Sequence, residues 1–377
     1  MSLSGRCSGF RKTPTMTIRR IAFVSSLVSG LVILATMAAA YVFRAPLSMA
    51  IGQRIAAQRM AADLFSELSD GLHIGLCGAG SPMPDERRMG ACTVIIAGKR
   101  LFVFDTGNAS ARNIGKLGIS HGRIEAIFLT HFHSDHIDGL GELLMQRWVS
   151  TGNVAPVPLY GPPGVEKVVD GFMQAYGQDQ HYRVAHHGEK TLPASGFGAT
   201  ALPFTAPDAG HVVLLKDSDL EISAFNVDHS PVHPAVGYAI RYKGRSVVLS
   251  GDTKKSVAVQ REAAGVDVLV HEALSAPMVG LLEQAASSAG RLNVKKLMAD
   301  IVDYHSSPEQ AAETARDARV KFLLLNHIAP PLPLPGMEKA FLGAAPSIFS
   351  GPLRVGADGD FLTLPAGLND IKVSRRF

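Results

Sequence analysis

The 377-residue chain is poor in cysteine, with three, and in charge, with 19% charged residues and a net charge of +4. It contains no Cys-x-x-Cys, which argues against a thiolate zinc site. Cys7, Cys77 and Cys92 set no disulfide framework; Cys77 and Cys92 can pair if the chain is exported, but nothing in the sequence requires it. A net charge this small does not by itself argue for a nucleic-acid partner. There is no internal repeat and no low-complexity tract. The glycine-rich stretch LCGAGSP, residues 76–82, lacks the lysine and spacing of a phosphate-binding loop. Asp105-Thr106-Gly107 has no second matching motif, which excludes a protease built on two carboxylates sharing a proton. What the chain does have is apolar residues, 46% of the total, enough to bury a sizeable core.

Those apolar residues are unevenly spread. Residues 21–43, IAFVSSLVSGLVILATMAAAYVF, carry no charge and follow a basic tail, residues 1–20, that holds Arg6, Arg11, Lys12, Arg19 and Arg20 without an acid. A helix of this length spans a bilayer core of about 30 Å. The basic flank is expected to stay in the cytoplasm, leaving the rest of the chain on the periplasmic, extracytoplasmic side of an inner membrane. The run is longer than the apolar core of a usual signal peptide, which favours an uncleaved anchor; the small residues before Tyr41 keep cleavage and secretion as the alternative. Residues 44–70 show apolar positions three and four apart and read as an amphipathic stalk helix.

From Leu72 onward, short apolar runs alternate with turn residues. Strands are expected at HIGLC, CTVIIAG, RLFVFD, IEAIFLT, LEISAFNVD, AVGYAIRY, RSVVLSGD, VDVLVHE and VKFLLLN. Helices are expected near 138–149, 164–176, 255–264, 277–288, 293–303 and 308–318, the last opening on Ser307 and Pro308 with Gln310 placed to complete a capping box. Residues 178–211 lack periodicity and read as an insertion or lid. The alternation predicts an α/β layered domain over 71–340, followed by a C-terminal extension, 341–377.

Residues 130–139, THFHSDHIDG, place His131, His133, Asp135 and His136 within six positions. Such a density of polar groups after an apolar strand has to be paired or bound to something. His131 and His133, two apart, point the same way in an extended segment, and the following turn lets Asp135 and His136 face a second point. Imidazole and carboxylate suit a zinc-like ion, with manganese or iron as alternatives. Four groups do not complete two sites. Other apolar strands also end in a histidine or an acid, at His229, Asp252, Glu272 and His327, and strand ends are where ligands collect in α/β proteins.

The motif HFHSDH resembles the His-x-His-x-Asp-His signature of the metallo-β-lactamase superfamily. VDHSPVHPAVGYAI, LSGDT, VLVHEA, HSSPEQAAETA and LLLNH follow in the order seen in its ribonuclease Z-like branch, which includes arylsulfatase-like members. The resemblance implies an αββα sandwich with two divalent metal ions at one edge. It implies His131, His133 and His229 as ligands of one ion, Asp135, His136 and His327 as ligands of the other, and Asp252 as the bridge. Glu272 and His305 resemble the pair that delivers a proton to the leaving group, and Asp135 can also orient the attacking water. His229 lies eight residues before Gly237 and His233 four before it, so His233 competes as third ligand of the first ion.

Two ions sharing a water lower its pKa and activate it against an ester. The substrate expected here is a small sulfate or phosphodiester; a lactone or other carboxylic ester, a ribonuclease Z-type cut in RNA, and a non-catalytic metal-binding role are the alternatives. The apolar segment and the short run GYAIRYKGRSVVLSGDT, where the resemblance would place a tRNA-gripping arm, lead to the expectation that nucleic acid is not a partner and that the membrane, through residues 21–43, is. A homodimer is left open.

Overall fold

A computed structural model describes residues 15–61 and 63–377. The chain divides into two units, Met1–Ala62 and Asp63–Phe377. In the first, a helix runs over Thr15–Val42 and a second over Arg44–Ala61. The stretch Arg20–Val42 is long and apolar enough to cross a membrane, and none of it is buried. The first fourteen residues of the expected basic tail lie outside the described residues. The expected stalk, 44–70, is not one helix: it ends at Ala61, and a short helix at Leu64–Glu67 buries Leu64 and Phe65 in the core of the second unit.

The second unit is built on fifteen strands. The first six are β1 (Gly71–Gly78), β2 (Cys92–Ala97), β3 (Arg100–Phe104), β4 (Ile124–Phe128), β5 (Val157–Gly161) and β6 (Ala199–Pro203). Then come β7 (Val212–Lys216), β8 (Leu220–Asn226), β9 (Val236–Tyr242), β10 (Arg245–Leu249), β11 (Val268–Leu274), β12 (Phe322–Ala329) and β13 (Leu353–Val355). β14 (Asp360–Pro365) and β15 (Lys372–Arg375) end the chain. One sheet has the order β15-β14-β1-β2-β3-β4-β5-β6, the other β13-β12-β11-β10-β9-β8-β7. Both are mixed: β3 to β6 and β10 to β13 run parallel, while β1–β2–β3 and β8–β9–β10 are antiparallel.

The strand sequences explain the layering. In β1, Leu72, Ile74 and Leu76 face the second sheet, where they meet Ile222, Tyr238, Ile240, Val247 and Leu324. In β2 and β3 the alternate residues Val94, Ile96, Leu101 and Val103 pack outward on Ile114, Leu140, Leu143 and Val165 of covering helices. Across the other sheet, Ala239, Val248, Leu269 and Leu323 pack on Val259, Ala311, Ala312 and Ala315. Both faces of each sheet are thus apolar, which is why the strands read as continuous hydrophobic runs. The result is the αββα sandwich. Ser307 accepts from the Gln310 backbone while the Gln310 side chain accepts from the Ser307 backbone, closing the capping box of the helix Pro308–Asp317.

Two expectations are corrected. Residues 341–377 are no appendage: β13 extends the second sheet, and β14 pairs with β1 from Gly71↔Pro365 to Gly75↔Phe361. Residues 178–211 are no lid: the helix begun at Val165 continues to His187, and β6 follows, paired to β5. The polar face of that helix hid its period. Cys77 on β1 and Cys92 on β2 form a disulfide.

Candidate metal-dependent active site

The carboxyl ends of β4, β10, β11 and β12 meet at one edge of the sandwich. After β4, Thr130 leads into His131 and His133, and a short helix, Ser134–Ile137, presents Asp135 and His136. This turn is pinned from behind. The Thr106 backbone N–H donates to the His136 carbonyl, and the Gly139 N–H donates to the Thr106 carbonyl, both at 2.8 Å. Gly107 has to be glycine for this contact: a Cβ there would lie 2.3 Å from the Asp135 carbonyl oxygen.

The distant residues arrive by strand register. Val248↔Leu269 and Leu269↔Leu323 set β10, β11 and β12 side by side, so Asp252, Glu272 and His327 emerge together. His229 follows β8. Asp252 is the hub: its Oδ2 lies 3.2 Å from His327 Nε2, 3.3 Å from His136 Nε2, and 3.9 Å from both His131 Nε2 and His229 Nε2. His327 Nε2 is also 3.0 Å from Asp135 Oδ2, and His131 Nε2 is 3.0 Å from His133 Nδ1. Three groups with ligand atoms within 4.8 Å of one another result: His131–His133–His229–Asp252, Asp135–His136–His327, and Asp252–His305–His327, the last sharing Asp252 and His327 with the other two. His229 is buried inside its group, whereas His233 is exposed.

A layer of partners orients the rings. His136 Nδ1–H donates to Asp105 at 2.9 Å, and His229 Nδ1–H donates to the Tyr304 carbonyl at 2.9 Å. Each bond fixes the tautomer and leaves Nε2 facing the centre. Those Nε2 atoms of His136 and His229 are buried without a hydrogen-bond partner. His305 Nδ1–H donates to Glu272 Oε1 at 3.0 Å. The same oxygen accepts from the backbone N–H groups of Thr253 and Ser306, at 3.1 and 3.0 Å. Asp105 and His327 hold left-handed backbone, at φ 57° and 46°, strain of the kind that collects at functional sites.

The charges are lopsided. Burial opposes ionisation of Asp252, yet the rings of His327, His136 and His131 hold its carboxyl well below the usual range. Burial likewise disfavours a charged His136, but Asp252, Asp105 and Asp135 outweigh it and push the ring well above its ordinary value. His327 is pushed up to about 9 by Asp252 and Asp135 against the same burial. His131 goes the other way, lowered by burial and by the neighbouring His136. A field that drives protons onto buried imidazoles equally favours a cation among them. Orphaned Nε2 atoms, convergent carboxylates and a nitrogen–oxygen donor set therefore fit divalent metal.

The beta-lactamase superfamily domain profile matches residues 100–328. Ribonuclease Z of Mycolicibacterium gilvum is 36% identical over 289 residues, covering 76% of this chain and 94% of that protein. Ribonuclease Z of Mycobacterium bovis is 37% identical over 290 residues, covering 76% and 96%. Among solved structures, the short form of human tRNase Z superposes with a TM-score of 0.55 at 21% identity, covering 78% of this chain and 99% of that one. The metallo-β-lactamase fold protein YhfI from Bacillus subtilis gives 0.55 at 17%, with 78% and 99% coverage. The chain is a metal-dependent hydrolase of the metallo-β-lactamase superfamily. Within it, the chain belongs to the ribonuclease Z-like branch.

That likeness overturns the expectation that nucleic acid is not a partner. The apolar stretch Arg20–Val42 speaks to membrane attachment alone, and the tight turn between β9 and β10, with Lys243 and Gly244 at positive φ, records only that no arm is inserted there. Neither observation bears on what the metal-site edge cleaves, and proteins sharing over a third of their residues along nearly their full length are ribonucleases. Asp105 and Tyr304 support the ligands without being among them, and of the two only Asp105 is legible in the sequence, as a strand-end residue behind the metal site. Asp105 ends an apolar strand as the ligands do, whereas Tyr304 acts through its carbonyl and leaves no sequence signal.

Proposed function

We propose that the chain is a ribonuclease Z-type phosphodiesterase that cuts RNA with two divalent ions, zinc by donor type. The observation that carries this reading is the likeness to ribonuclease Z over 94–96% of those relatives' length. His131, His133 and His229 would hold one ion, Asp135, His136 and His327 the other, with Asp252 between them. When bound, such ions polarise a phosphoryl oxygen and lower the pKa of water. Asp135, an acceptor beside the centre, orients the attacking water. His305, held through Nδ1 by Glu272, keeps Nε2 free to pass a proton to the departing oxygen. Glu272 acts through His305 and is itself fixed by two backbone N–H groups.

Residues 21–43 are further proposed as a membrane anchor, with the catalytic unit on the extracytoplasmic side. The apolar helix supports this, and so does the Cys77–Cys92 disulfide, since such bonds persist in oxidising compartments.

The test is the full chain with its bound metal measured, offered a 3′-extended tRNA precursor and bis(p-nitrophenyl) phosphate. Endonucleolytic cleavage that Asp252→Ala abolishes is the expected result. Intact RNA alongside turnover of the small ester would sink the ribonuclease reading and leave a phosphodiesterase. Fewer than about one metal ion per chain would sink the two-ion assignment.

A further inference from the structure

The cleft in front of the histidines does not end there. The cavity that holds His133, Asp135, His305 and His327 has a volume of about 410 Å³ and is also walled by Met83, Pro84 and Met298. The same three residues wall a second cavity of about 680 Å³. It runs along the helices Ala276–Ser288 and Leu292–Asp300, lined by residues such as Met278, Leu282, Val294 and Met337, with Arg291 its one charged side chain. Leu281 and Leu282 on its wall are 65% and 40% exposed. A contiguous apolar surface left open to water marks a binding site, and methionine-rich walls adapt to flexible apolar guests.

We propose that this groove binds the apolar arm of a second class of substrate, phosphodiesters carrying an alkyl or aryl chain. The groove joins the reacting centre through Met83, Pro84 and Met298, so a guest lying in it can be continuous with an ester facing the histidines. A second copy of the chain or a lipid surface would cover the exposed leucines without needing that passage. With almost no hydrogen-bonding side chain in the lining, recognition there is by burial of hydrocarbon, at a few-fold in affinity per methylene. The reaction is ordinary hydrolysis. A water oxygen bonds to phosphorus, the P–O bond to the leaving alcohol breaks, and the proton ends on that alcohol. The inference rests on the hydrolase reading and leaves the RNA reading untouched.

The experiment compares methyl and octyl p-nitrophenyl phosphate on the full, metal-loaded chain in phosphatidylcholine nanodiscs. The octyl ester is expected to have a kcat/KM at least about tenfold higher. Leu282→Glu and Val294→Lys are each expected to bring that ratio down to about one; a general folding defect lowers both esters together and leaves the ratio standing. As a readout without turnover, octyl methylphosphonate should bind the metal-stripped chain at least about tenfold tighter than its ethyl analogue, a gap that Leu282→Glu closes. A ratio near one in the unaltered protein, with the methyl ester turned over, overturns the groove assignment and leaves the hydrolase reading intact. A ratio that survives in both variants also overturns it. No turnover of either ester, with the octyl and ethyl phosphonates bound equally, overturns the groove assignment, while the ribonuclease reading stands or falls on cleavage of the tRNA precursor.

Discussion

The two halves of the metal-site cluster are built in opposite ways. His131, His133, Asp135 and His136 come from one turn of six residues, shaped by local geometry and clamped by Thr106 and Gly139. His229, Asp252, Glu272, His305 and His327 come from five separate elements spread over about a hundred residues. The parallel register of β10, β11 and β12 aligns Asp252, Glu272 and His327, while His229 follows β8 and is tied to Tyr304, and His305 follows the turn Ile301–Tyr304 and is tied to Glu272. The local half can form wherever its turn forms. The dispersed half exists only when the second sheet is assembled. Asp252 joins them, within 3.9 Å of histidines from both.

The sharpest way to break that junction is Asp252→Ala. Activity should fall by more than the ~100-fold typical of a supporting residue, with metal content falling alongside, as measured by elemental analysis and turnover. Retained metal and activity would remove Asp252 from the hub. His229→Ala should likewise lose metal while His233→Ala keeps it, because only His229 is buried among the ligands. Asp105→Asn tests the support of the local half. Metal affinity should weaken by about 10–100-fold, read by competition with a chelating dye, since the His136 ring loses the carboxylate that orients it.

Two smaller effects lie away from the ligands. Cys77→Ser/Cys92→Ser opens a link of sequence separation 15 and should lower stability by ~3 kcal/mol, seen as a shift in denaturant midpoint. Asp358, which accepts from the backbones of Ala79 and Met89 and from Asn113, has its carboxyl pushed up to about 6 by burial. A raised carboxyl pKa means the folded state disfavours the charged form. Its contribution is therefore intact below about pH 4 and lost as pH rises through about 6, a change of about 2–3 kcal/mol. Asp358→Asn should flatten stability across that window in pH-dependent denaturation; an unaltered profile would contradict the assignment.

The sequence exposed nine of the fifteen strands because each is an apolar run buried on both faces. It missed β5 to β7 and β13 to β15. β6, β7 and β15 are only partly buried or exposed, so their apolar pattern is diluted, and β13 is three residues long. β14 is well buried but stands beyond the last helix-strand alternation, so it read as an extension. The helix Val165–His187 buries only Val165 and Val169, too little for its full length to be periodic. At the site, histidine density and strand-end position made eight of the nine candidate residues legible, while His305, which follows the turn Ile301–Tyr304, came only from the resemblance of its motif. Asp105 was partly legible, and Tyr304 not at all, because a carbonyl contributes nothing to residue type.

By itself the sequence determined what is local: an apolar span near the N-terminus, strands buried on both faces, and a turn crowded with imidazole and carboxylate. These follow from periodicities of two and about four residues, which a linear reading contains. The tertiary structure decided which distant strand ends face that turn, that residues 341–377 add strands to both sheets, and that an apolar groove leads away from the histidines. Lateral strand pairing and helix packing create those neighbours, and neither leaves a trace in the spacing of residues along the chain.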